Sequence, residues 1–109
     1  MTAKPFTTDE FDRTIVEDKK LTVIDFWAPW CGYCRRIEPA YEKVGSEYAD
    51  KLIVGKVNID DEPQLAERYQ VEIIPTLIVF KDGEPAARIV APDSKAKIEA
   101  FIEENLDRV

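Results

Sequence analysis

The spacing of apolar positions changes from block to block along this chain, and each change marks an element. Thr7 to Glu10, "TTDE", has capping-box spacing and predicts a short helix that turns Phe11 and Ile15 inward. The stretch 21–27, "LTVIDFW", is rich in β-branched and aromatic residues and reads as a central strand. After Cys34, apolar residues fall at Ile37, Tyr41, Val44 and Tyr48, spacings of three and four that define one face of a helix. Pro39 lies inside that helix, where it removes a hydrogen bond and is expected to bend it. A second core strand is predicted over 52–60, "LIVGKVNID". A short helix follows over 61–70, with Asp61 or Glu62 near its cap and Pro63 in its first turn. Residues 76–80 and 85–90 form a hairpin that turns at Asp82-Gly83. A last amphipathic helix carries Ile98, Phe101, Ile102 and Leu106 on one face. Strands alternating with helices, then a hairpin and a final helix, predict an α/β fold with a mixed sheet between helices.

Length and composition narrow this further. With 109 residues and no repeat, linker or low-complexity tract, the whole chain, 1–109, is expected to be one domain with a core of its own. Acidic residues outnumber basic ones 22 to 15, and the resulting charge of −7 repels phosphate backbones, which argues against nucleic acid as a partner. No apolar run approaches the ~20 residues of a membrane span. The opening "MTAKPFTTDE" has no apolar run after its lysine. No secretory signal is therefore expected, and a cytoplasmic location is.

Both cysteines and both tryptophans of the chain fall in "WAPWCGYC", residues 27–34. On a helix beginning near Cys31 the cysteines are i and i+3 neighbours with Cβ atoms about 5–6 Å apart, so a small local adjustment closes a disulfide. Cys34 starts the buried stripe and is expected to face inward. Cys31 sits where unpaired N–H groups and the helix dipole favour a thiolate, which makes it the attacking sulfur and Cys34 the resolving one. Three readings stand: a pair that merely packs, a metal site, and reversible thiol–disulfide exchange. The strand-to-helix placement argues against the first. Zinc wants four N or S ligands, and the chain offers two cysteines and no histidine. Asp25, in the middle of "VIDFW", is a costly carboxylate whose pKa burial would raise. Alternation with Ile24 and Phe26 would also fit an outward-pointing residue. Helices over both faces of a central strand favour burial.

"VIDFWAPWCGYCRRIEP", "VNIDDEPQLAERYQV", "IIPTLIVFKDGE" and the terminal helix together resemble the thioredoxin family across nearly the whole chain. W-C-x-x-C, a downstream I-P-T before a strand, and F-K-D-G form a far more specific combination than two cysteines alone. The resemblance implies a thioredoxin fold, a central mixed β-sheet flanked by helices on both faces. It implies a protein dithiol–disulfide oxidoreductase with no bound cofactor and a redox-active Cys31–Cys34 disulfide. It also implies a cis Ile74–Pro75 peptide beside that disulfide, Asp25 as proton relay to Cys34, and Lys56 as its neighbour. Trp30 would lie exposed beside the site and meet substrate, and the Ile74 backbone would bind an extended peptide by β-type hydrogen bonds. Protein disulfides are then the substrates, with electrons from a flavin-dependent thioredoxin reductase fed by NADPH, and the protein is expected to act as a monomer.

The chain departs from the family pattern at several places. Gly32-Tyr33 stands between the cysteines where Gly-Pro is usual. Tyr33 restores an N–H near the Cys31 sulfur, which predicts a couple more oxidising by a few tens of millivolts, on the order of one hydrogen bond. Ala91, followed by Pro92, replaces a usual glycine, and glycines are also common where Gln70 and Ile73 stand. Gly32, Tyr33 and Ala91 are accordingly read as part of the substrate site, with a tighter, more apolar rim. Two rivals remain: an oxidase or isomerase working in the opposite direction, and a binding subunit in which the thiols are incidental.

Overall fold

The computed structural model describes residues 3–106. The chain runs β1 (Lys4–Pro5), α1 (Thr8–Phe11), β2 (Thr22–Trp27), α2 (Gly32–Tyr48), β3 (Ile53–Asn58), α3 (Pro63–Arg68), β4 (Thr76–Lys81), β5 (Glu84–Val90) and α4 (Lys95–Asn105). The five strands make one sheet in the order β1-β3-β2-β4-β5. β1 and β2 lie parallel to β3, while β4 runs antiparallel to β2 and β5 antiparallel to β4. This is the mixed sheet between helices that the resemblance implies.

Burial of β2 follows from its place in the middle of the sheet. Val23 packs with Tyr41, Val44, Leu77, Ile98 and Ile102, the core under α2 and α4. Ile24 and Phe26 pack with Phe11, Ile15, Val57, Leu65 and Phe80, the core on the opposite face. Such two-sided cover is why the strand reads as a nearly continuous apolar run. Asp25 shares the Val23 face and is buried there with it.

The expected elements are present with trimmed ends. The capping box forms as read: the Thr7 hydroxyl accepts from the Glu10 N–H, and Glu10 Oε1 accepts from the Thr7 N–H at 3.0 Å. Beyond α1 the backbone widens into a π-helical stretch, Asp12–Glu17, that keeps Ile15 buried. Pro39 sits inside α2 without ending it. Asp82 and Gly83 both take positive φ, 54° and 85°, the geometry of a tight hairpin turn. Strand β1 was not foreseen. Two residues carry no alternation to read, and β1 is held instead by Phe6, whose N–H donates to the Lys56 carbonyl at 2.9 Å. The Phe6 ring lies on Gly55, where an added Cβ would come within 2.5 Å of it.

Candidate active site

Strand β2 delivers the chain to the site. Past Trp27 and the buried Ala28, the Cys31 N–H donates to the Ala28 carbonyl at 3.1 Å and closes a tight turn. Cys31 is then the N-cap of α2, with extended backbone, and Cys34 stands in the first turn. The two are joined as a disulfide with Cα atoms 5.3 Å apart. Cys34 is 2% exposed and Cys31 8%, so both sulfurs pack among Ala28, Trp27, Tyr33, Ile59 and Ile74, and the outer one is only a little more open.

The N–H that reaches Cys31 Sγ is that of Cys34, at 3.1 Å. This is ordinary N-cap geometry, in which the capping atom accepts from the third residue of the helix. The expectation for Tyr33 changes accordingly, because its N–H makes no such bond. Tyr33 contributes its side chain instead: the hydroxyl lies 3.2 Å from the Ala91 carbonyl and 3.3 Å from that of Pro92, able to donate to either. The ring carries the Arg36 guanidinium 5.6 Å from its centre. Tyr33 thus ties the first turn of α2 to the loop after β5. Gly32, next to Cys31, is exposed, with open space where a side chain would stand.

On the other rim, the Ile74–Pro75 peptide is cis. Cys31 Sγ lies 3.8 Å from the Ile74 carbonyl oxygen. The Ala91 N–H donates to the Pro75 carbonyl at 2.8 Å, so the two loops are stitched together. Trp30 is 67% exposed, and its indole N–H donates to Asp60 Oδ1 at 3.1 Å. Ile73 and Val90 are also exposed, which makes the surroundings apolar. Asp60 was missed in the sequence, where it is one acid in an acidic turn.

Asp25 is 4% exposed, and its Oδ1 has no hydrogen-bond partner among the described residues. Burial pushes its pKa from 3.8 to about 7; the nearby Lys56 charge pulls it down and Glu38 pushes it up. Lys56 is the register partner of Asp25 on β3. Its ammonium, however, lies 3.4 Å from Glu42 Oε2, 3.6 Å from Glu38 Oε2 and 5.5 Å from the centre of the Trp27 ring. Glu38 and Glu42 were not singled out from the sequence, because their meeting with Lys56 depends on α2 crossing β3. Among the described residues no group of three or more His, Cys, Asp or Glu is placed to hold a metal ion.

Gln70 and Ala91, two of the positions where a glycine is usual, both take positive φ, 54° and 49°. At these sites a side chain is carried on the left-handed backbone that suits glycine.

The thioredoxin family model matches residues 2–104. A thioredoxin of Acidithiobacillus ferridurans is 42% identical over 98 residues, covering 90% of this chain and 91% of its own. One from Buchnera aphidicola subsp. Acyrthosiphon pisum is 37% identical over 93% of this chain and 94% of its own. A third, from Mycobacterium bovis, is 41% identical over 84% and 79%.

Proposed function

This chain belongs to the thioredoxin family and is a protein dithiol–disulfide oxidoreductase, and from that premise we propose that it works as a reductant of protein disulfides, as a single-domain monomer in the cytoplasm. The observation that carries the reading is the placement of Cys31 Sγ. It is the N-cap atom of α2 and lies 3.8 Å from the Ile74 carbonyl, the backbone offered to an extended substrate. When reduced, the outer sulfur is held as a thiolate by the Cys34 N–H and the helix dipole. It attacks one sulfur of a substrate disulfide, forms a mixed disulfide, and the other substrate sulfur leaves as a thiolate. Cys34 then gives its proton to the Asp25 carboxylate and attacks Cys31. The second substrate sulfur leaves, two electrons have passed to substrate, and Cys31–Cys34 is oxidised.

Each remaining residue has a place in that sequence. With a pKa of about 7, Asp25 is available near neutrality both to take the proton and to return it to water. Lys56 tunes that carboxyl. Trp30, Ile74, Pro75, Gly32, Tyr33 and Ala91 form the binding rim, where backbone hydrogen bonding gives breadth and the exposed apolar surface gives affinity. Electrons return from NADPH through a flavin-dependent thioredoxin reductase, with no cofactor resident in this chain.

Trapping tests the order of events. Cys34→Ser should accumulate a covalent adduct with a disulfide-bearing protein, and Cys31→Ser should accumulate none. An adduct formed by Cys31→Ser, or none by Cys34→Ser, would reverse or remove the assignment. A double variant that kept full biological function would favour a binding subunit.

A further inference from the structure

Lys56 stands directly across from Asp25 in the sheet, yet its ammonium is turned to two carboxylates of α2. It is 3.4 Å from Glu42 and 3.6 Å from Glu38, while Asp25 Oδ1 has no partner among the described residues. A buried carboxylate opposite a lysine would ordinarily take that charge for itself, because desolvation makes an unpaired anion expensive. Here α2 competes for it. Among the described residues, the other groups around Asp25 offer no second cation. Leu77 is its register partner on β4, and α4 supplies Ile98, Phe101 and Ile102 to this face. From α2 comes Tyr41, which stays neutral, its phenol held well above its usual pKa by burial and by Asp25 itself.

We propose that Glu38 is a positioning residue for the proton step: together with Glu42 it holds the Lys56 ammonium on the helix side, away from Asp25, and so leaves Asp25 able to take and keep the Cys34 proton. The inference rests on Asp25 being the acceptor. Glu38 acts twice, by engaging Lys56 and by adding a like charge near Asp25. The Glu38 side chain is 48% exposed, so its substitution leaves the core intact and its influence weakens with salt.

The test follows Asp25 directly, by the carbon-13 shift of its carboxyl against pH at low ionic strength, beside the pH profile of mixed-disulfide resolution in single turnovers. Glu38→Gln should move the Asp25 midpoint to lower pH by about half a unit, as expected for losing one nearby charge. The pH–rate profile should move with it. Glu38→Asp keeps the charge and should stay closer to the parent. A midpoint that is unmoved or raised in Glu38→Gln overturns the hold on Lys56 while leaving the acceptor assignment intact. Separately, a resolution profile unchanged in Asp25→Asn would remove Asp25 as acceptor, and the inference with it.

Discussion

At the scale of single residues, the cost of Asp25 shows how chemistry and stability oppose each other in this chain. The folded state keeps the Asp25 proton up to about pH 7, whereas an unburied aspartate loses it near 3.8. Between those values the folded state binds more protons than the unfolded one, so stability falls as pH rises through the window and levels off above it. Ionised, the buried carboxyl costs the folded state about 4 kcal/mol. Asp25→Asn should therefore gain stability over the parent as pH rises from 4.5 to 8.5 (about 3 kcal/mol across that range, by urea unfolding of the oxidised proteins). A difference independent of pH would show that Asp25 ionises normally. Burial of Asp25 was legible because an acid in the middle of "VIDFW" has nowhere else to go once both faces are covered. The partners of Lys56 were not, since nothing local in "GKVNID" marks which helix will lie across it. Tyr33 was legible as a departure but not in its effect. The expected N–H is not the one on the sulfur, and the hydroxyl's reach to Ala91 and Pro92 joins residues far apart in sequence.

Among the elements, the clearest departure is the end of α3. The Val71 N–H donates to the Ala66 carbonyl at 2.8 Å and the Gln70 N–H to that of Glu67 at 3.2 Å, a Schellman ending with Gln70 in the left-handed position. Glycine takes that conformation without the Cβ clash that a side chain brings. Gln70→Gly should stabilise the chain by about 1 kcal/mol in urea unfolding; a loss would mean that the Gln70 side chain contributes more than its backbone costs. The reverse holds on β3. Adding a methyl at Gly55 would press on the buried Phe6 ring and on Ile24, so Gly55→Ala should destabilise by about 1–3 kcal/mol and loosen β1 from the sheet. Faster hydrogen exchange at the Phe6 N–H would report that loosening, and unchanged exchange would argue that the ring simply shifts. Helices and inner strands were readable because their periods are long enough to count. The edge strand β1 was not, because it depends on the missing side chain at Gly55.

For the molecule as a whole, the sheet order places the disulfide past the end of β2, in the first turn of α2, with the Ile74–Pro75 loop beside it. The alternation of strands and helices foretold a mixed sheet; the cis peptide came only through the family resemblance, since a proline's isomer leaves no pattern in sequence. What the assembled site is for depends on its redox poise. The Cys34 N–H on Cys31 Sγ comes from the helix cap itself and not from the Tyr33 substitution, so it gives no ground for the more oxidising couple expected from an added Tyr33 N–H. Equilibrating Cys31–Cys34 against a glutathione redox buffer measures this directly. A potential near the roughly −270 mV of thioredoxins is expected. A value above about −230 mV would contradict it and make the protein an oxidant or an isomerase.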